Sequence, residues 1–201
     1  MIPVLLLLAA YILGGIPFGY LLVRFTTGAD VRHLGSGNIG ATNVLRTTGR
    51  LAGMVTLLFD IVKGWVAVWL MGHFTKQDPL WMSLAAIAVV LGHAYSIFLK
   101  FQGGKAVASF VGAFLYLTPL TVAAITIVFI AAVWYSRHIS FGSIAGAALF
   151  PFGVWMIEHP PLPVLIAAIT CGGFVIWRHH SNVQRLRAGT ENVFTFSKKS
   201  S

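Results

Sequence analysis

Carboxylates are scarce in this chain, which has five acidic residues among 201: Asp30, Asp60, Asp78, Glu158 and Glu191. A site that binds Mg²⁺ or a pair of metal ions needs several carboxylate oxygens close together, and these five are scattered along the sequence. We therefore expect chemistry that uses no metal and no other cofactor.

Cysteine is nearly absent as well. Cys171 is the single cysteine, so no disulfide can form within the chain. It lies in the middle of an apolar run, where a thiol is typical of packing, and we do not expect it to accept an acyl group.

Charge is low overall, because 9% of the residues are charged and 57% are hydrophobic, with a mean hydropathy of +0.83. This composition excludes an ordinary soluble domain and predicts a polytopic membrane protein. The net charge of +9 does not indicate a nucleic-acid partner. The basic residues lie between apolar runs, where they set orientation and meet anionic lipid head groups or phosphorylated substrates.

Apolar runs that can cross a bilayer predict seven transmembrane helices in a single all-α domain that covers residues 1–201. Gly14, Gly15 and Pro17 predict a kink or a close helix contact in the first run. Thr118-Pro119 divides the long run after Lys105, because proline removes a donor and clashes with the preceding turn. The spans are expected at about residues 2–23, 52–74, 80–99, 106–117, 119–136, 140–157 and 162–177.

Basic residues concentrate on alternate connectors, while the other connectors carry Lys76, Asp78 and Glu158. The positive-inside rule then predicts an outside N-terminus and a cytoplasmic C-terminus. Three polar segments, residues 34–46, 92–109 and 179–191, fall on the cytoplasmic side. The basic residues on that side are Arg24, Arg32, Arg46, Arg50, Lys100, Lys105, Arg137, Arg178, Arg185, Arg187, Lys198 and Lys199.

The first polar segment, LGSGNIGATNVLR, interleaves flexible positions with side chains that form hydrogen bonds. Glycine lets the backbone turn its N–H groups toward one point, and an arginine can hold two oxygens of a phosphate. The segment therefore predicts a phosphate cradle, although a flexible connector would have a similar composition. Its candidate residues are Gly35, Ser36, Gly37, Asn38, Gly40, Thr42, Asn43 and Arg46.

The second polar segment ends in Gly103-Gly104-Lys105, immediately before a predicted helix. Free N–H groups, the positive end of the helix dipole and an ammonium group would converge there, which predicts a second anion site. The alternative is that Lys105 is an interfacial lysine whose side chain reaches toward water.

The third polar segment places His179, Asn182 and Arg185 at intervals of three, so they share a face if the last helix continues past Trp177. Gly189 is a plausible helix stop, after which Glu191 turns back to pair with an arginine such as Arg185. A basic patch that touches anionic lipid would explain the arginines, but not the histidine and the asparagine.

Asp60 and Lys63 lie three residues apart inside the second predicted span, and His93 lies inside the third. Buried ionisable groups in lipid are costly unless they are paired. We expect Asp60 and Lys63 to face the bundle, with each other or His93 as partners. A structural role beneath the site is the first interpretation, and a substrate contact or a proton path is the second.

The phrases GSGNIGATNVLR, GHAYSIFLKFQGGKAVAS and HHSNVQRLRAGTE resemble the three cytoplasmic motifs of the bacterial acyl-phosphate:glycerol-3-phosphate acyltransferases, the PlsY type. The resemblance covers the whole chain in order and spacing. It implies transfer of a fatty acyl group from acyl phosphate to the sn-1 hydroxyl of glycerol 3-phosphate, which yields lysophosphatidate and phosphate. The implied location is the bacterial cytoplasmic membrane, with the active site on its cytoplasmic face and no obligatory protein partner.

The resemblance also implies the roles of individual residues. Ser36, Arg46, Lys105, His179 and Asn182 would line the catalytic site. The phosphate contacts would be shaped by Gly35, Gly37, Asn38, Thr42, Asn43, Gly103, Gly104, Arg185 and Glu191.

The identity of the base stays open at this point. His179 can take the proton of the attacking hydroxyl, because its ordinary pKa lies near working pH. Alternatively, His179 and Asn182 orient a substrate, and a phosphate oxygen of that substrate takes the proton. A covalent acyl-Ser36 intermediate is disfavoured because no base is dedicated to it in the sequence. A transporter of a phosphorylated metabolite is the alternative function, although transport usually needs polar groups near the midplane.

Overall fold

The computed structural model describes residues 1–194, and this part of the chain contains helices but no strand. Lys198 and Lys199, which the charge pattern assigns to the cytoplasmic side, lie outside the described residues. The α-helices are α1 (Ile2–Gly15), α2 (Phe18–Thr27), α3 (Ala41–Thr48), α4 (Arg50–Phe74), α5 (Pro79–Ala94), α6 (Val107–Leu117), α7 (Pro119–Ser136), α8 (Ile139–Gly153), α9 (Leu162–Arg178) and α10 (His180–Arg187). Short 3-10 turns cover Val31–His33 and Ile97–Leu99, and a π-helical turn, Val154–Glu158, extends α8.

Within residues 1–194, five helical segments are long and apolar enough to cross a bilayer: Ile2–Thr27, Arg50–Phe74, Pro79–Leu99, Pro119–Ser136 and Ile139–Glu158. A sixth is added if α9 and α10, which meet at 53°, count as one span. The remaining apolar helix, α6, has 11 residues. It is about 16 Å long, which is shorter than the ~30 Å hydrocarbon core. The all-α, multi-span architecture is therefore confirmed, and the seventh span stays a prediction.

The predicted kink in the first apolar run is confirmed as a break between α1 and α2 at Ile16 and Pro17. The break frees carbonyl groups that would otherwise lie unpaired in lipid, and the neighbouring helices supply their donors. Lys63 Nζ donates to Ile16 O at 2.9 Å, and Ser96 Oγ donates to Gly15 O at 2.5 Å. The interruption is thus stabilised by polar contacts from α4 and from the turn after α5.

Close helix contacts in the bundle depend on glycines that face a neighbouring backbone. A side chain at Gly14 of α1 would collide with the backbone of Val89 in α5. A side chain at Gly112 of α6 would collide in the same way with the backbone of Ile61 in α4. Small residues at such crossings let membrane helices pack by van der Waals contact.

The chain also breaks at Thr118, so α6 and α7 are separate helices, as the Thr118-Pro119 pair predicts. Glu158, which follows α8, accepts hydrogen bonds through Oε1 from Leu120 N at 2.9 Å and from Thr121 N at 3.2 Å. A carboxylate at a helix N-terminus satisfies free N–H groups and complements the helix dipole. This contact ties the start of α7 to the end of α8.

The buried ionisable residues are paired, as expected. Lys63 Nζ lies 2.6 Å from Asp60 Oδ1, and each side chain is almost fully buried. His93 Nδ1 lies 3.7 Å from the same oxygen and 2.9 Å from Ser109 Oγ. Ser109 Oγ donates to Asp60 O at 3.1 Å, so the hydrogen between Ser109 and His93 comes from the imidazole. This network joins α4, α5 and α6.

Candidate active site

A single cavity of about 530 Å³ collects side chains from all three polar segments. It lies among the N-terminal end of α3, helices α4, α6, α7 and α8, and the junction of α9 with α10. The five residues with predicted catalytic roles all line it: Ser36, Arg46, Lys105, His179 and Asn182. Asn38, Thr42, Asn43, Arg185 and Glu191 line it as well, whereas Gly35, Gly37, Gly103 and Gly104 do not. The roles of these residues stay predictions, but their proximity is a property of the fold.

The loop before α3 is organised around Asn43, which is 2% exposed. Its Oδ1 accepts a hydrogen bond from Ser36 N at 2.9 Å. Its Nδ2 donates to Leu34 O and Asn38 O, both at 2.9 Å. Asn43 therefore holds the loop, and its contribution to phosphate binding stays a prediction.

Three backbone N–H groups of the first segment are used within the loop, so the predicted cradle of free N–H groups does not include them. Ser36 N is bonded to Asn43, Gly37 N donates to Leu34 O at 3.0 Å, and Gly40 N donates to Asn38 Oδ1 at 2.8 Å. Asparagine side chains compete successfully for loop N–H groups, which is their usual behaviour in turns. The side chains of Ser36 and Asn38 from this loop line the cavity.

Two glycines of this segment serve the backbone. Gly35 and Gly37 have φ values of +56° and +71°, a region that side chains rarely adopt. Gly37 also lines a separate cleft of about 440 Å³ together with Arg32, His33 and Gln102. The glycines thus shape the loop that carries Ser36, and they do not face the main cavity.

The N-terminal end of α3 supplies the backbone donors that the loop does not. Ala41 and Thr42, the first residues of this helix, line the cavity. The first N–H groups of an α-helix have no acceptor within the helix, and they favour anions. Arg46, one turn further along, faces the same cavity and adds a guanidinium group. This end of the cavity is therefore suited to a phosphate.

The second segment differs from its prediction. The N–H groups of Gly103 and Gly104 donate to Ala94 O at 3.0 Å and to His93 O at 3.1 Å. They satisfy the carbonyl groups at the end of α5, which ends at Ala94 and is followed by a 3-10 turn to Leu99. These two N–H groups are therefore not available to an anion, whereas Lys105 and the residues at the start of α6, Ala106 and Val107, line the cavity. The second anion site stays a prediction.

Lys105 is partly buried at the polar end of the cavity. Burial, together with the neighbouring Arg185, Arg178 and Arg46, lowers the pKa of its ammonium group to about 8, although Glu191 opposes the shift. Within residues 1–194, Lys105 has no carboxylate within ion-pair distance. A cation without a paired carboxylate in a basic surrounding favours an incoming anion.

The prediction for the third segment assumed that the last helix continues straight past Trp177, and the structure shows a bend instead. The chain breaks at His179, and α10 leaves α9 at 53°. The break turns His179, Asn182 and Arg185 toward the cavity together. Gly189, with φ +67°, follows the end of α10, which confirms the predicted helix stop.

His179 is 3% exposed, and its Nδ1 lies 2.7 Å from Val175 O. A carbonyl oxygen accepts, so Nδ1 carries the hydrogen, and a neutral ring leaves Nε2 as an acceptor. Burial lowers the pKa of His179 to about 4, and the positive charges of Lys105 and Arg178 act in the same direction, against the Val175 hydrogen bond and Glu191. The imidazole is therefore neutral at pH 7.

Glu191 turns back onto α10, which confirms the predicted ion pair. Its Oε2 accepts from Arg185 Nε at 2.8 Å, and its Oε1 accepts from Asn182 Nδ2 at 2.9 Å. Burial alone would raise the pKa of Glu191, but these hydrogen bonds outweigh it and hold the pKa below its usual value. Asn182 Oδ1 is buried and has no hydrogen-bond partner in the described part of the chain. It is available to accept a hydrogen bond from a bound molecule.

The candidate set omits several polar residues at or near the cavity, among them Asp60, His93, Asn192, Arg178, Ser140 and Ser143. Arg178 donates to the carbonyl groups of Gly103 and Gly104, which joins the second segment to the third. Ser140 and Ser143 line the cavity from the first turns of α8. The sequence signal for the serines is their spacing of three in an otherwise apolar helix, which places both on one helical face.

Away from the polar end, the cavity extends into the bundle as an apolar arm. The arm is lined by residues of α4, α6, α7 and α8: Leu57, Ile61, Phe110, Val111, Val122, Ile125, Phe129, Ala147 and Phe150. Met54 and Leu57, which are 56% and 44% exposed on α4, also line the cavity, so its side faces lipid. An apolar space of this kind suits a hydrocarbon chain.

Metal ligands do not cluster near the cavity. Among residues 1–194, no group of three or more His, Cys, Asp or Glu side chains is placed to hold a metal ion. Cys171 is 1% exposed in the core, in line with its expected packing role.

A family model described as glycerol-3-phosphate acyltransferase matches residues 4–189. Curated proteins of that name from Geotalea daltonii and Geobacter sulfurreducens are 42% and 48% identical to the chain over 191 and 188 residues. These alignments cover 95% and 92% of the chain and 97% and 94% of the relatives.

The fold is similar to two crystal structures of PlsY (YgiH), an integral membrane glycerol 3-phosphate acyltransferase. The glycerol 3-phosphate form has a TM-score of 0.92 and 32% identity, and the lysophosphatidic acid form has 0.90 and 30%. Each comparison covers 97% of this chain and 96% of the solved one.

Proposed function

Because the chain belongs to the glycerol-3-phosphate acyltransferase family, we propose that it transfers a fatty acyl group from acyl phosphate to the sn-1 hydroxyl of glycerol 3-phosphate. The products are lysophosphatidate and inorganic phosphate. This reaction belongs to bacterial phospholipid synthesis.

One observation carries the proposal: the cavity is cationic and polar at one end and apolar at the other. Both proposed substrates carry a phosphate, and one of them carries a hydrocarbon chain. An enzyme for this reaction needs to hold two anionic groups next to the mouth of an apolar groove. The related PlsY has been solved as a glycerol 3-phosphate form and a lysophosphatidic acid form, which supports these molecules as substrate and product.

The cationic side chains would bind the phosphates. Arg46 and the N-terminal end of α3 form one anion-binding surface, and Lys105 with Arg185 forms a second. Ser36 and Asn38 contribute polar groups between them. Acyl phosphate is an activated donor with a good leaving group, so the protein chiefly holds hydroxyl and carbonyl together and stabilises the developing oxyanion.

The chemical step forms one bond and breaks another. The sn-1 oxygen attacks the acyl carbon, a base takes the hydroxyl proton, and the carbon–oxygen bond to phosphate breaks so that phosphate leaves. His179 Nε2 is one candidate base, because the ring is neutral and Nδ1 is held by Val175 O. The alternative is that a substrate phosphate oxygen takes the proton while His179 and Asn182 position the glycerol.

The membrane arrangement is part of the proposal. The chain crosses the bacterial cytoplasmic membrane seven times, with the N-terminus outside and the cavity's polar end at the cytoplasmic face. Two features support this arrangement. Basic residues concentrate at the polar end of the cavity, and α6 and α7 are two separate helices rather than one long span.

The deciding experiment uses the purified protein in lipid with palmitoyl phosphate, labelled glycerol 3-phosphate and EDTA, and a parallel reaction with palmitoyl-CoA. We expect labelled lysophosphatidate from acyl phosphate alone. Product from palmitoyl-CoA alone would identify acyl-CoA, rather than acyl phosphate, as the donor. Loss of activity in EDTA would contradict metal-independent chemistry. No product from either donor in folded protein would contradict the proposed reaction.

The transporter alternative has a separate test, because labelled glycerol 3-phosphate would accumulate inside protein-containing liposomes without acylation. We expect no such uptake. The arm is lined by apolar residues such as Phe110, Ile125 and Phe150, which are unsuited to the passage of a charged phosphate.

A further inference from the structure

Three aromatic rings lie at the inner end of the apolar arm on α6 and α8. Phe110 and Phe114 of α6 and Phe150 of α8 form a cluster in which each ring contacts the other two, with centroids 4.8 to 5.0 Å apart. All three side chains are at most 5% exposed. We refer to this cluster as the aromatic floor.

The cavity stops at this floor on the two helices that carry it. On α6, Phe110 and Val111 line the cavity, whereas the fully buried Phe114 lies one turn deeper. On α8, the lining runs from Ile139 to Phe150, a path of about 16 Å at 1.5 Å per residue. Val154, one turn below Phe150, is fully buried in the core. On α6 and α8 the lining therefore ends at Phe110 and Phe150, whereas on α7 it continues to Val122.

From this geometry we infer that the acyl chain of the donor runs down the apolar arm and ends against Phe110 and Phe150, which set the longest chain that is used efficiently. The inference rests on the proposed function and adds the specificity of the same cavity. The reacting carbonyl is held at the polar end, so the distance from there to the floor sets the length of the acyl chain that fits.

The physical basis is the free energy gained when each methylene of the acyl chain is buried, a gain that ends where the chain reaches the floor. Burying one CH₂ raises kcat/KM by about fourfold when the interaction is kept in the transition state. A methylene beyond the floor gains nothing and must either displace the rings or leave the arm. Cores packed by aromatic rings resist such insertion, so the preference falls steeply past the matching length.

One position allows the arm to be shortened rather than lengthened. Ala147 lies one turn above Phe150 on α8 and lines the arm. A larger side chain there raises the effective floor. Phe114 provides a comparison within the cluster, because it contacts the other two rings but does not line the arm.

The experiment measures kcat/KM for a series of saturated acyl phosphates, from decanoyl to arachidoyl, at a fixed concentration of glycerol 3-phosphate. Wild type is compared with Phe150→Ala, Phe150→Leu, Ala147→Leu and Phe114→Leu. The readout is the ratio of kcat/KM for a long chain to that for a short one, which is independent of the fraction of protein that folds. The milder Phe150→Leu covers the case in which Phe150→Ala does not fold.

We expect both Phe150 variants to raise the long-to-short ratio, by about fourfold for each methylene that the vacated space accepts. We expect Ala147→Leu to lower the ratio by a similar factor and Phe114→Leu to raise it less than Phe150→Leu does, because Phe114 supports the other two rings without lining the arm. An unchanged ratio in Phe150→Leu and Ala147→Leu would overturn the inference and indicate that the chain leaves sideways past Met54 and Leu57. Wild type that forms no lysophosphatidate from any chain length would instead contradict the proposed function itself.

Discussion

Arg178 donates from Nη2 and Nε to the carbonyl oxygen of Gly104, at 2.9 and 3.2 Å. The same Nη2 lies 3.2 Å from Gly103 O, and the guanidinium packs over the ring of Tyr95 at 5.6 Å. Arg178 precedes His179, and Gly104 precedes Lys105. This one contact therefore sets the position of two predicted catalytic residues relative to each other.

Replacing Arg178 by glutamine should lower kcat/KM by about tenfold to a hundredfold, because hydrogen bonds from a charged donor contribute about 1.5–3 kcal/mol. Most of the loss should appear as a higher KM for glycerol 3-phosphate, since Lys105 is no longer held. The kcat/KM of Arg178→Lys should lie between those of wild type and Arg178→Gln, because a lysine keeps the charge but cannot reproduce the planar fork. The exposed Arg187→Gln removes the same charge and serves as the control. Equal kinetics for the two glutamine variants would contradict a positioning role.

The pKa of Lys105, lowered to about 8 chiefly by burial, predicts an alkaline limit to activity. Above that pH, the ammonium group loses the charge that binds phosphate, so kcat/KM should decline as pH rises. Lys105→Arg should be active and lack the decline, because a guanidinium stays charged throughout. The check is a pH profile of kcat/KM for both proteins, and a wild-type profile that is flat to pH 10 would argue against phosphate binding by Lys105.

His179 separates two mechanisms. If it is the base, His179→Ala should lower kcat by about 10² to 10⁴ with little change in KM. If it positions the glycerol, the main effect should be a higher KM for glycerol 3-phosphate. The neighbouring exposed His180→Ala is the control and should be nearly silent.

The pKa of about 4 for His179 also predicts how activity depends on pH below 7. Burial disfavours the imidazolium form, so His179 stays neutral as the pH falls from 7 to 5. The pH profile of kcat/KM should therefore show no His179 transition near pH 6.5. A transition there that disappears in His179→Ala would contradict the buried, neutral imidazole.

Asn43→Ala should disturb the whole first segment, because it removes the acceptor for Ser36 N and the donor to the carbonyls of Leu34 and Asn38. Each buried group left unpaired costs about 1–3 kcal/mol. We expect a lower thermal midpoint in detergent together with a higher KM. Thr42→Ala, at the cavity but outside this network, should keep the midpoint. An Asn43 variant with wild-type stability and an altered KM would indicate a direct phosphate contact instead.

The buried Asp60–Lys63 pair predicts strong coupling between its two members. Lys63→Met leaves a buried carboxylate without its cation and should destabilise the fold by about 3–5 kcal/mol. Asp60→Asn combined with Lys63→Met removes both charges and should cost less than the two single changes added together. Thermal unfolding of all three variants in one detergent measures the coupling, and simple additivity would contradict the pair.

Much of the architecture follows from local properties that a sequence displays directly. Apolar runs of sufficient length predict helices in lipid, and prolines mark the breaks at Pro17 and Pro119, because these rules depend on neighbours along the chain. The pairing of Asp60 with Lys63 and the return of Glu191 to Arg185 were accessible for the same reason. Three residues along a helix, or one turn past its end, are close in any fold.

The misjudged contacts all depend on partners that are distant or compete locally. The N–H groups of Gly103 and Gly104 bond to the end of α5, and those of the first segment bond to Asn38 and Asn43. A glycine-rich string shows that backbone can turn, but the available acceptors decide where its N–H groups point. The break at His179 similarly reflects packing at the end of α9, which helical periodicity alone does not reveal.

The sequence by itself thus determined the class of the protein, its helical segments and the side chains available for two phosphates and an acyl chain, because composition and spacing carry that information. Only the tertiary structure decided which groups face one cavity, how Arg178 joins two segments and where Phe110 and Phe150 end the apolar arm. Those relationships arise between helices far apart in the chain, and the packing of their side chains sets them.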